Sequence, residues 1–282
     1  MPSREPGRGA TAAPAAPGRD RRPSPVLSVV VPVYHEATSI AANLARLRAA
    51  LDGAGMSWEV VVVVDGDPAT LRAGRQSCPD GFQVLGYTRN RGKGFAIRYG
   101  MARTRGELVT IIDGDLDIAP EEIGRMAALL QLYDADMVIG SKRHPLSEVT
   151  YPRLRRLQSF AFQVLVRMLF RVRVRDTQTG LKVMRREVAL RVLDVALVKR
   201  FAFDVELIAL ARHFGYRRIL EAPVRIDFQF RSTTNLRAVA AVLWDTAAIF
   251  YRLQIRHWYD RSHPGGRDAL LAAGAEAAAT ES

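Results

Sequence analysis

Two runs of branched aliphatic residues constrain this chain most. Residues Leu27–Val33 read L-S-V-V-V-P-V, and Val60–Val64 are five consecutive valines. Neither run alternates with polar residues as a strand with one wet face would. Both are therefore expected as strands buried on two sides, which is how parallel strands sit between layers of helix. Between them Ile40, Leu44, Leu47 and Leu51 repeat at helical spacing, with Thr38 or Ser39 placed to cap. The alternation continues: a short strand at Val84–Leu85, a helix over Gly94–Met101, a strand at Leu108–Ile112 and a helix through Ile123, Met126, Ala127 and Leu130. A further strand follows at Met137–Ile139. The expected class is α/β, a single Rossmann-like, mostly parallel sheet with helices on both faces. Ligands of such sheets bind beyond the carboxyl ends of the strands.

The charge of the chain narrows its partners. Lys plus Arg total 41 against 29 acidic residues, a net charge of +12, and all but four of the basic residues are arginine. Such an excess suits anionic partners. It is concentrated: residues 142–175 hold nine basic residues (Lys142, Arg143, Arg153, Arg155, Arg156, Arg167, Arg171, Arg173, Arg175) against Glu148. The lone Cys78 excludes a disulfide scaffold and a cysteine metal site.

Residues 1–25 are basic and rich in Ala, Pro and Gly, and residues 261–282 turn polar and then Ala-rich; both are expected as disordered tails. The first lacks the apolar stretch of a secretory signal. No segment reaches the roughly 20 apolar residues of a membrane span. Two stretches do have an apolar helical face beside arginines: Leu157, Phe160, Ala161, Val164, Leu165 and Met168, and then Leu236 to Trp258. Either packs on a core or lies in a bilayer interface.

Polar clusters sit at the strand ends. The first strand ends in Pro32-Val33-Tyr34-His35-Glu36, the second at Asp65, and the fourth in Asp113-Gly114-Asp115-Leu116-Asp117. Crowded carboxylates after a buried strand need compensating charge. A divalent cation supplies it, and oxygen-only ligands suit Mg²⁺ or Mn²⁺. Asp113, Asp115 and Asp117 together form the candidate cation site, and Gly114 leaves room at the backbone. Arg89-Asn90-Arg91-Gly92-Lys93-Gly94 opens a helix, where backbone N–H groups and a cation can meet phosphate. Asp176 reads either as a loop carboxylate paired with arginine or as a group beside a substrate. Asp204 and Glu206 open an apolar helix, where acids also complement the helix dipole. His35, His144 and His213 show no metal spacing, and structural roles are expected for them.

In order and spacing, P-V-Y-H-E, Asp65, N-R-G-K-G, D-G-D-L-D, Gly140-Ser141-Lys142 and D-T-Q-T-G-L-K (Asp176–Lys182) resemble the family-2 glycosyltransferases of the GT-A fold. They are most like the dolichyl- and polyprenyl-phosphate sugar synthases. The D-T-Q-x-G-x-K stretch and Phe203-Asp204-Val205-Glu206-Leu207 lean to the glucosyl branch. The resemblance implies a GT-A domain over residues 26–231 and an amphipathic, membrane-associating helix over 232–260.

It also implies roles. Pro32, Tyr34, Glu36, Asp65, Lys93, Gly94, Asp113 and Gly114 would line the nucleotide pocket. Asp115 and Asp117 would hold the metal, and Lys142, Arg155 and Ser159 would bind the acceptor phosphate. Asp115, Asp117, Asp176 and Asp204 would act at the reacting sugar. The family pattern has Asn at His35, Arg at Lys142 and often Gly at Arg231.

The implied reaction is inverting transfer of a hexose, with UDP-glucose the first choice of donor, to polyprenyl or dolichyl phosphate for cell-envelope glycan synthesis. UDP-N-acetylhexosamine, GDP-mannose or a small phosphorylated acceptor with a soluble enzyme are the alternatives. The implied setting is peripheral, at the cytoplasmic face of a membrane with an anionic surface; a membrane-protein partner or self-association would fit there. Nucleic acid is not expected, because D-G-D-L-D would repel its phosphates.

Overall fold

The structure is a computed structural model that describes residues 25–147, 153–172, 174–200, 202–226, 236–260, 266–268 and 270–271; the side chains of 153–161 and 236–239 lie outside that description. Among the described residues seven strands and eight α-helices follow one another: β1 (Leu27–Val33), α1 (Ile40–Asp52), β2 (Trp58–Asp65), α2 (Pro68–Gln76), β3 (Phe82–Tyr87), α3 (Lys93–Met101), β4 (Leu108–Ile111), α4 (Glu122–Leu132), β5 (Met137–Ser141), α5 (Arg153–Phe170), β6 (Lys182–Arg185), α6 (Arg186–Val195), α7 (Phe203–His213), β7 (Ile219–Pro223) and α8 (Leu236–Phe250). They form one sheet of order β3-β2-β1-β4-β6-β5-β7. All neighbours are parallel except β6, which runs antiparallel to both β4 and β5.

The continuous valine runs are explained by the two faces. On β1, Val30 joins one core with α3, α5, α6, α7 and α8, while Val29, Val31 and Val33 join the other with α1, α2 and α4. On β2, Val61 and Val63 point to the first core and Val60, Val62 and Val64 to the second. Each face takes its own apolar residues, and the polar exception on β1, Ser28, is buried with its hydroxyl donating to Glu59 at 2.6 Å.

Several local expectations change. Ser39 does precede α1, but its hydroxyl makes no capping bond and turns instead to the Glu36 carboxylate. The helices α2 and α6 and the strands β6 and β7 are not among the elements expected from the sequence pattern. The signal for α2 was present: Asp67 accepts from Ala69 N as the cap and Pro68 follows at the first turn.

The expectation of a tail from 261 also needs correction. Residues 266–268 are helical, Leu270 is buried in the core, and Arg267 Nε donates to Ala102 O at 3.2 Å. From α8 onward the chain packs on the same core, through Ile249, Leu253 and Tyr259. Among the described residues no helix is long and apolar enough to cross a membrane.

Candidate active site

The strand order reverses direction between β1 and β4, and their carboxyl ends open the crevice where such sheets bind ligands. The turn after β4 is built tightly against β1. Gly114 N donates to Pro32 O at 3.3 Å, and Asn43 Nδ2 of α1 donates to Gly114 O at 2.8 Å. A side chain at Gly114 would meet Val33 Cγ2 at 2.8 Å. Its glycine therefore lets this turn pack closely on β1. Leu116 follows with φ 50°, a costly value for a residue with a Cβ, and is buried in the core. With Leu116 turned inward, its neighbours Asp115 and Asp117 line a pocket together with Asp113, Lys142, Gly180, Ile112 and Ile118.

The carboxylates in this pocket differ electrically. Burial raises the Asp115 carboxyl, and Asp113 and Asp117 add repulsion, so it is pushed up to about 6. Burial also raises Asp117; Lys142 opposes that rise, while Asp113 and Glu36 add to it. Burial alone would raise Asp113 too, but the ammonium of Lys93, helped by Lys182 and Lys142, holds it below the usual range. Asp115 and Asp117 thus stay under-compensated while Asp113 is neutralised. That donor set fits a hard divalent cation held by two carboxylates, which takes its remaining ligands from water and phosphate. Among the described residues no group of three or more candidate ligands converges.

A charge chain runs from the pocket into the core. Lys93 Nζ lies 2.6 Å from Asp113 Oδ1 and 3.6 Å from Asp204 Oδ2. Asp204 Oδ1 lies 2.7 Å from Nζ of Lys182, a side chain with 0% exposure that also donates to Thr179 O. Two cations and two anions alternate, so each buried charge has a partner. Burial would lower the Lys93 ammonium, but Asp113 and Asp204 outweigh that and hold it above its ordinary value. Asp204 is 3% exposed and bridges two lysines. Gly180 is required here because a Cβ would run into the Asp113 carboxylate.

Other expected residues occupy distinct places. Asp65 is buried, and its two oxygens accept Arg91 N at 2.7 Å and Gly92 N at 2.8 Å, so it anchors the loop that carries Lys93. Gly94 packs against α7, where a Cβ would meet Phe203 Cβ at 2.6 Å. Tyr34 is exposed beside His35, and Glu36 stands close enough to raise Asp117. Asp176 Oδ2 accepts the backbone N–H of Lys142 at 3.1 Å, tying the start of the basic segment to the D-T-Q-T-G turn. The side chains of Arg155 and Ser159, and the whole of Arg231, lie outside the described residues. His35 pairs with Asp67 and His213 with Asp260.

Three residues play parts that no pattern in the sequence announces. Lys182 ends the D-T-Q-T-G-L-K stretch, and nothing in that stretch signals its burial. Glu221 accepts the backbone N–H groups of both Arg175 and Asp176, and Asn43 is the polar exception on the inner part of α1.

With this geometry in hand, the chain can be compared with known proteins. The mouse dolichyl-phosphate beta-glucosyltransferase is 34% identical over 210 residues, 67% of this chain and 64% of that protein. The chain thus spans a little under two thirds of the length of that relative. The crystal structure of mannosyl-3-phosphoglycerate synthase from Rubrobacter xylanophilus superposes with TM-score 0.64 at 19% identity, covering 82% of this chain and 75% of the other. Glucosyl-3-phosphoglycerate synthase from Mycobacterium tuberculosis, in complex with Mn²⁺, UDP-glucose and phosphoglyceric acid, superposes with TM-score 0.60 at 18% identity over 80% of this chain and 79% of that one. At such identities these two structures speak to the fold alone, which is GT-A. The sequence model described as Glycosyl transferase family 2 matches residues 28–193, more than half of the chain, and the protein belongs to that family.

Proposed function

We propose that the protein transfers a hexose, UDP-glucose being the first choice of donor, to a polyprenyl or dolichyl phosphate with inversion at the sugar carbon. The observation that carries this reading is the pocket at the end of β4, where Asp113, Asp115 and Asp117 face Lys142 across one opening. Acidic groups for a metal-bound diphosphate and a cation for an incoming phosphate meet there. The likeness to a dolichyl-phosphate beta-glucosyltransferase supports the choice of acceptor and sugar.

On this reading Pro32, Tyr34, Glu36, Lys93, Gly94, Asp113 and Gly114 form the nucleotide side, and Asp65 holds the loop beneath it. A Mg²⁺ or Mn²⁺ ion held by Asp115 and Asp117 would offset the charge that gathers on the departing diphosphate. The acceptor phosphate, with a second pKa near 6, is already an anionic nucleophile at neutral pH, so the site needs no strong general base. Lys142, Arg155 and Ser159 bind and orient that phosphate, and arginine can do so with two parallel hydrogen bonds. Asp176 sets the backbone of Lys142. Asp204 keeps Lys93 in line with Asp113 and acts through it.

The catalytic domain is taken as residues 26–231 with 1–25 outside it. The segment 232–260 serves as the membrane-facing element, at the cytoplasmic face of a bilayer. On α8 and the π-helical turn after it, Leu243, Trp244, Tyr251 and Ile255 are exposed at helical spacing, with the exposed Arg256 alongside. That stripe favours a lipid acceptor over a small soluble one, since an interfacial helix pairs such a face with basic residues.

The test is incubation of the protein with Mn²⁺ or Mg²⁺, polyprenyl phosphate and labelled UDP-glucose, UDP-N-acetylhexosamine and GDP-mannose, with 3-phosphoglycerate as the competing acceptor. Label is expected in the organic phase from UDP-glucose. Label found only in a water-soluble phosphoglycerate product would overturn the lipid reading.

A further inference from the structure

Glu206 is completely buried on α7, two residues after Asp204. Its carboxylate is fully engaged. Leu197 N and Val198 N donate to it at 3.1 Å and 2.8 Å, and the Tyr259 hydroxyl donates at 2.6 Å from the far end of the chain. Arg98 of α3, also buried, supplies opposing charge. None of these groups lines the pocket, but the loop they hold supports one wall of it. Phe95 N, in the first turn of α3, donates to Lys199 O at 3.1 Å. A Cβ on Gly94 would come within 2.7 Å of Val198 O, and one on Gly92, whose φ is 95°, would strike Lys199 O. The 196–200 loop is thus pressed against the Gly92-Lys93-Gly94 turn that aims Lys93 at Asp113. Tyr259 is 1% exposed, and the short helix carrying it is tied to the end of α7 by Asp260 and His213.

We propose that Tyr259 and Glu206 are positioning residues for the donor side of the pocket: the C-terminal segment, by completing the shell of Glu206, fixes the loop that supports Lys93. This rests on the reading of the pocket as a nucleotide-sugar site. The physical basis is the cost of leaving a buried carboxylate short of a donor, which the protein relieves by shifting the groups around it. Here the groups free to shift are the Leu197 and Val198 amides.

The test is titration of UDP with Mn²⁺, and GDP in parallel, into the full-length protein and its Tyr259→Phe variant, with amide hydrogen exchange on both. Tyr259→Phe is expected to weaken nucleotide affinity about three- to tenfold, the worth of one hydrogen bond, and to speed exchange at Leu197, Val198 and Phe95. Thr246→Val serves as the control, because among the described residues the Thr246 hydroxyl bonds to Val242 O within its own helix α8; it should move neither readout. In the unaltered protein, bound nucleotide should slow exchange at Leu197 and Val198, a measurement that holds even if Tyr259→Phe does not fold. Equal affinity in a folded Tyr259→Phe, an equal loss in Thr246→Val, or no protection by nucleotide would overturn the positioning role. If the unaltered protein bound neither nucleotide, the donor reading itself would fall and take this role with it.

Discussion

A lysine with no solvent exposure is among the costliest residues a fold can carry, and Lys182 is carried because Asp204 and Thr179 O receive its ammonium. Replacing Lys182 with Met leaves Asp204 half-paired in the interior. The expected loss is about 3–5 kcal/mol of unfolding free energy, read from denaturant curves. Asp115 predicts the opposite pattern. Its neighbours repel it, so Asp115→Asn should abolish sugar transfer while the metal-free unfolding midpoint stays level or rises, as scanning calorimetry will show. Near-normal turnover in that variant would remove Asp115 from the metal site. The difference between these two residues sets the limit of what the sequence discloses. Carboxylates crowded after a buried strand announce themselves, because like charges in a row need a reason. Lys182 sits in K-V-M-R and looks like any strand-edge lysine. Only the arrival of α7 across the sheet buries it, and no local pattern encodes that contact. The same holds for Glu206, whose partner Tyr259 is 53 residues away.

Among the elements, β1 was legible to the residue and β2 nearly so, because double-sided burial demands unbroken apolar runs. The strands β6 and β7 were not. Each is short, and β6 is a strand chiefly by virtue of lying between β4 and β5. Helix α8 was legible as amphipathic, though the sequence left open which part of its surface packs. Ile249 and Leu253 go into the core, while Trp244 is 77% exposed. Trp244→Glu should therefore leave the unfolding midpoint within a degree or two, a surface change being worth about 0.5 kcal/mol or less. It should also cut pelleting with anionic vesicles several-fold. Unchanged pelleting would argue that α8 does not face the bilayer.

For the whole molecule, the net charge of +12 first admitted any anionic partner, and the fold gives that charge an address. The basic segment begins at Lys142, which shares a pocket with the acidic turn of β4. The chain also closes on itself more completely than its composition suggests. Residues beyond 265 read as polar and then Ala-rich, yet Leu270 is 5% exposed. Ending the chain at residue 265 should cost about 1.5–3 kcal/mol, the worth of one buried leucine, measurable by urea titration. A truncated form as stable as the full chain would show that this contact is idle.

The antiparallel strand has a consequence for how such an enzyme can change. Because β6 reverses beside β5, residues 142–181 are topologically a single hairpin connection, anchored at Ile139 opposite Lys182. That one excursion carries the whole basic cluster, the helix α5 and the D-T-Q-T-G turn. It is tied to the rest of the fold where α5 enters the core beside β1 and β2 and where Gly180 meets Asp113. The hairpin is in this sense a cassette: its solvent-facing residues can vary while both of its ends remain registered in the same sheet and the inner face of α5 stays in the core.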